Sequence, residues 1–144
     1  HSTRPQTLSY GLNDSPIGLA GWIVEKYRAW SDCGGDIESR FSKDDLLINL
    51  TIYWATETIN SSIRMYFENY PVTGGSFKKS DKITIPTAGA IFPHDIATPP
   101  REWAERSYNI VRWTEMPKGG HFAAMEEPEM LVNDIRDFYR QFRN

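Results

Sequence analysis

Apolar residues return at helical spacing in the first part of this chain and at strand spacing later, and the order of these stretches predicts the architecture. Ile17, Ala20, Trp22, Ile23, Val24, Tyr27 and Trp30 recur every three or four positions, which predicts a helix over about 16–31. Ser15-Pro16 suits its start, because Ser caps and Pro fits the first helical position. The helix ends before Asp32-Cys33-Gly34-Gly35. A second start at Ser42, with Asp45 three residues on, has the form of a capping box. Leu46, Leu47, Leu50, Tyr53 and Trp54, then Ile59, Ile63, Met65 and Tyr66, predict one long or two consecutive helices to about Asn69. The polar, β-branched run from Thr56 to Ser62 is where a break belongs. Residues 1–14 are polar and turn-rich, with no usable period.

After the Gly-, Ser- and Lys-rich loop Tyr70–Ser80 the period changes. Lys82–Ala88 is a short β-branched run and predicts a first strand. Thr98-Pro99-Pro100 opens a short helix through about Ser107, and Ile110–Glu115 reads as a second strand. Pro128 starts a last helix, about 128–143, with the apolar stripe Leu131, Ile135, Phe138, Tyr139 and Phe142. Strand, helix, strand, helix in this order implies a right-handed crossover and parallel strands. The expected organisation is a helical half, 1–70, followed by a βαβα half, 71–144, in the α/β class.

Composition narrows the function classes. With 144 residues, 40% of them hydrophobic, the chain can build one modest core. A net charge of −3 with scattered Lys and Arg leaves no basic stripe for nucleic acid. The single cysteine, Cys33, excludes an internal disulfide and suits a reducing, cytoplasmic compartment. No apolar run is long enough for a membrane span, and no signal-peptide pattern opens the chain. The start, His1-Ser2-Thr3-Arg4-Pro5, reads like the middle of a longer protein.

Candidate chemistry gathers at strand ends. His121 follows the second predicted strand within Met116-Pro117-Lys118-Gly119-Gly120-His121-Phe122, and Asp95 follows the first. Both positions fall on the carboxyl-end rim of adjacent parallel strands, where α/β folds carry reactive groups. A carboxylate there can accept from one imidazole nitrogen, leaving the other to take a proton. The bland alternatives are a capping or core histidine and an ordinary loop carboxylate; the glycine pair and the paired strand tips favour chemistry. His94 has nothing evident to orient it, and Glu126 and Glu127 most simply satisfy the amino end of the last helix. Asp32, Asp36 and Glu38 lack calcium-loop spacing and read as a solvated turn. Ser76, in Gly74-Gly75-Ser76-Phe77, precedes a strand instead of following one and lacks the closing Gly of a nucleophile elbow. Cys33 has no activating signature. The nucleophile is therefore expected outside this chain. The order acid-then-His is that of the last two members of an α/β-hydrolase triad.

Three stretches carry a family resemblance: Ser9-Tyr10-Gly11-Leu12-Asn13-Asp14-Ser15-Pro16-Ile17-Gly18-Leu19-Ala20, Arg40-Phe41-Ser42-Lys43-Asp44-Asp45-Leu46-Leu47, and Gly119-Gly120-His121-Phe122-Ala123-Ala124. Together they resemble the microsomal-type epoxide hydrolases, and the resemblance covers essentially the whole chain as their carboxyl-terminal part. It implies an α/β-hydrolase fold, with 1–70 as helical cap and 71–144 as the end of the core. It implies that an upstream Asp opens the epoxide to an alkyl-enzyme ester, that His121 activates water to hydrolyse it, and that Asp95 orients His121. The family often has Glu at that position, one methylene longer. Tyr66, in Arg64-Met65-Tyr66, matches one of two cap tyrosines that assist the epoxide oxygen; the alternative is that it packs in the helix stripe. The other tyrosine, the His-Gly-Trp-Pro loop and the nucleophile belong before residue 1. The implied partners are a small apolar epoxide and water, with no cofactor or metal. The missing amino-terminal half or a second copy is a further expected partner, membrane association is left open, and the chain by itself is expected to be inactive. The rivals are a serine esterase or haloalkane hydrolase of the same fold, or a non-catalytic interaction module.

Overall fold

The computed structural model describes residues 2–73 and 82–143, so the reading of Ser76 lies outside the described residues. The chain divides into two compact units, His1–Arg28 with Phe41–Ser76 and Ala29–Arg40 with Phe77–Asn144. The division is thus not a single cut at residue 70: a segment from the helical half, Ala29–Arg40, belongs with the carboxyl-terminal unit.

The first unit is built from α1 (Pro5–Asp14), most of α2 (Pro16–Trp30), α3 (Lys43–Thr56) and α4 (Ile59–Thr73). α1 corrects the expectation of an irregular start. Pro5 occupies its first position, and one apolar pair, Leu8 and Leu12, supplies its inward face. Two apolar residues are too few to register as a period, so packing decides this helix. Leu12, Leu19, Ile59 and Ile63 form the buried core, with Leu8, Trp22, Ile23, Leu50 and Tyr53 against it. Each aliphatic side chain fully buried this way contributes about 1.5–3 kcal/mol. Tyr27 is also buried, edge-on to Phe41 with ring centroids 5.0 Å apart. Burial, reinforced by Tyr53, raises its phenol pKa above the ordinary value.

The helix starts were legible. The Ser15 hydroxyl accepts the Gly18 N–H at 3.1 Å, and the Ser42 hydroxyl accepts the Asp45 N–H at 3.1 Å. Between α3 and α4 the chain breaks where polar residues interrupt the stripe: Glu57 takes a left-handed conformation, φ 54°, and Thr58 caps the next turn by accepting the Ser62 N–H.

The second unit holds a parallel pair, β1 (Ile83–Ile91) and β2 (Tyr108–Glu115), connected by α5 (Arg101–Ser107). The short α6 (Ala123–Glu126) and α7 (Pro128–Arg140) follow. Pro86 lacks an N–H, and the register shifts beside it. There the Asn109 side-chain amide donates to the Thr84 carbonyl at 2.9 Å. α7 is pinned to β2 by buried Asp134, one of whose oxygens accepts from Arg112 Nε (2.8 Å), Arg112 Nη2 (2.6 Å) and Thr114 Oγ1 (2.7 Å). Of the apolar stripe expected on this helix, Ile135, Tyr139 and Phe142 are exposed in this chain. Among the described residues no helix is long and apolar enough to cross a membrane.

Candidate active site

The parallel pairing of β1 and β2 extends past the strands. His94 and Gly120 form an isolated parallel bridge, and the His94 N–H donates to the Gly119 carbonyl at 3.1 Å. Asp95 and His121 each lie one residue beyond that bridge, so strand register alone delivers them side by side. His121 Nδ1 is 2.7 Å from Asp95 Oδ1. The same oxygen accepts the Ile96 N–H at 2.7 Å, which fixes the carboxylate within its own turn. A carboxylate only accepts, so Nδ1 carries the proton, and in the neutral imidazole Nε2 is the nitrogen with a lone pair. The two side chains are 36% and 34% exposed.

Two glycines bring His121 to this position. Gly119 has φ +102°, and a Cβ there would stand 2.7 Å from the Phe92 ring. A Cβ on Gly120 would meet the Trp30 carbonyl oxygen at 2.7 Å and the backbone of Ser31 and Asp32 at 2.9 Å. Residues 30–32 therefore run as a strap directly against the histidine loop. The His121 N–H donates to the Trp30 carbonyl at 2.9 Å, and the Gly119 N–H to Asp32 Oδ2 at 3.0 Å. The indole of Trp30 meets the imidazole edge-on, centroids 5.4 Å apart, and Phe122 does the same at 5.3 Å.

These contacts correct three expectations. Asp32 does not sit in a solvated turn: besides Gly119, it faces Arg40 Nη2 at 3.2 Å and His94 Nε2 at 3.3 Å. His94 thus has an orienting carboxylate, from a part of the chain distant in sequence. Glu127 stands at the amino end of α7 but makes no cap with its side chain. Its oxygens instead bind Arg40 Nη1 (2.9 Å) and Lys118 Nζ (2.8 Å), while Glu126, also buried, accepts backbone N–H groups of Asp32 and Phe122. Charges paired over such separations leave no periodic mark; the acids flanking Gly34-Gly35 and the Glu126-Glu127 pair are the signal the sequence offers.

Tyr66 lies on α4 in the first unit and is 52% exposed, so its ring is not part of the packed stripe formed by Ile59 and Ile63. Asp95 and His121 are brought together; Tyr66 stands on the other unit.

No family model matches the chain. Individual relatives do. Over 146 residues it is 42% identical to pig (Sus scrofa) epoxide hydrolase 1, covering 95% of this chain and 32% of that protein. The juvenile hormone epoxide hydrolase of the silkworm Bombyx mori superposes with a TM-score of 0.89 at 32% identity, over 99% of this chain and 35% of the other. The chain matches a carboxyl-terminal portion of the epoxide hydrolases. The Aspergillus niger epoxide hydrolase agrees, with a TM-score of 0.82 at 35% identity over 98% of this chain and 34% of the other. The fold is accordingly the carboxyl-terminal part of an α/β-hydrolase, and this chain spans about a third of the length of the relatives it matches. In it the parallel β1–β2 pair is the portion of the sheet that carries Asp95 and His121 at its rim.

Proposed function

We propose that this chain is part of an epoxide hydrolase that needs no cofactor, in which His121 is the water-activating base, Asp95 orients it and Tyr66 assists the epoxide oxygen. The 2.7 Å contact between His121 Nδ1 and Asp95 Oδ1 at neighbouring strand tips carries the reading. In this scheme the first unit, without Ala29–Arg40, supplies most of the cap, and the nucleophilic carboxylate comes from a segment outside this chain. That carboxylate attacks an epoxide carbon as the carbon–oxygen bond breaks, and a tyrosine hydroxyl protonates the departing alkoxide. Its charge appears only in the transition state, so a phenol there accelerates the chemistry itself. Water then adds to the ester carbonyl while its proton passes to His121 Nε2. The tetrahedral intermediate expels the diol's alkoxide, which takes that proton, and the second water proton restores the tyrosine hydroxyl, leaving the carboxylate free. The open edges of the two-stranded sheet fit further strands of the complete fold. A reducing, cytoplasmic setting accords with the single cysteine.

The full-length protein containing this chain should convert an aryl epoxide to its diol without added metal or cofactor. Tyr66→Phe should slow alkylation about 10–100-fold, below or at the loss for a single oxyanion donor because a second tyrosine is expected to share the load. Ester hydrolysis should keep its wild-type rate. Rapid-quench kinetics separate the two steps: slowed hydrolysis with normal alkylation would remove Tyr66 from this role, and absence of diol from the wild-type protein would overturn the whole reading.

A further inference from the structure

We infer that Glu126 is a positioning residue for His121, acting as a staple between the strap of residues 30–32 and the histidine loop; the inference rests on the water-activating role proposed for His121. Glu126 is only 8% exposed, and nothing in the proposed chemistry uses it. Its two carboxylate oxygens are divided between two backbone segments. Oε2 accepts the Asp32 N–H at 2.7 Å, and Oε1 accepts the Phe122 N–H at 2.9 Å. Asp32 and Glu126 are far apart in sequence, and Phe122 is the residue directly after His121. One buried side chain therefore fixes both the strap and the carboxyl side of the histidine.

The amino side is held by the same strap. Asp32 Oδ2 accepts the Gly119 N–H, and the Trp30 carbonyl accepts that of His121. The bare Gly120 backbone lies against Trp30, Ser31 and Asp32 with no space for a methyl group. Moving the strap thus moves the histidine backbone and, through the edge-on Trp30 contact, the imidazole plane. Two charge-assisted hydrogen bonds, donated by backbone N–H groups, satisfy the buried carboxylate. Gln at this position keeps one acceptor but turns an NH2 toward a backbone N–H, so one of the two segments loses its hold. A catalytic group displaced by about 1 Å loses on the order of 100-fold in rate.

The test uses the full-length protein carrying Glu126→Gln, and Glu126→Asp as a second variant that keeps the charge but is too short to span both N–H groups. Rapid-quench measurement with an aryl epoxide yields the ratio of ester hydrolysis to alkylation, which does not depend on the fraction of folded protein. A 10–100-fold fall in this ratio for Glu126→Gln, with a smaller fall for Glu126→Asp and a parallel decrease in KM, is the expected result. A wild-type ratio in either folded variant overturns the staple, as does an equal loss in both steps, which would mark general structural damage. His121→Ala measured alongside separates the failures: if that variant keeps normal ester hydrolysis, the base assignment has failed and not only the positioning role.

Discussion

Replacing His121 by Ala in the full-length protein should leave alkylation intact and slow hydrolysis of the ester by about 100–10,000-fold, the usual range for a positioned general base. The reason is geometric. Asp95 engages Nδ1, so Nε2 is the nitrogen available for the water proton. Alanine removes this acceptor without touching the carboxylate that attacks the epoxide. The enzyme should therefore consume about one equivalent of epoxide per site and stall as the ester, releasing diol only as fast as that ester hydrolyses. Steady turnover with unchanged kcat would contradict the role of His121. Loss of alkylation as well would show that the imidazole serves the first step too.

Gly120→Ala should impair both stability and turnover. Three strap atoms stand 2.7–2.9 Å from where the methyl group would sit, all of them backbone or the Cα of Ser31. None is the yielding tip of a side chain, so strap or loop must shift. Overpacking of this kind costs about 1–3 kcal/mol, and the displaced imidazole should add a fall in turnover on the order of 100-fold. Thermal unfolding together with single-turnover kinetics checks both effects. Gly21→Ala is the matched control: a Cβ there meets nothing within 4 Å, and it lies within α2, where Ala is the better helix former. An unchanged melting temperature and turnover in Gly120→Ala would mean that strap and loop do not approach as closely in the working protein.

The elements that the sequence made legible are those written in local chemistry. Ser15-Pro16 and Ser42 mark two helix starts that the structure contains, and the polar run after Thr56 marks the break between α3 and α4. The alternation of strand and helix after residue 82 carried the parallel crossover. What escaped was set by tertiary packing. α1 owes its place to two leucines against the core of its unit, too short a pattern to recognise. The stretch from Asp32 to Glu38 reads as a turn between helices, whereas Asp32 and the nearby Arg40 are bound to Gly119 and Glu127. For the same reason Glu126 and Glu127 read as helix-end acids. At the site, the sequence suggested the pairing of Asp95 with His121 because both follow strands. It gave no hint that a third stretch, Trp30–Asp32, holds the histidine loop from behind.

The most direct measurement is the lifetime of the covalent ester, read by quenched intact-mass spectrometry on the full-length protein after mixing with an aryl epoxide, in wild type and in Asp95→Ala. The account predicts a transient gain of one substrate mass in the wild type and the same adduct, much longer-lived, once the carboxylate that holds His121 is removed. No adduct in either protein, or an equal lifetime in both, would contradict it.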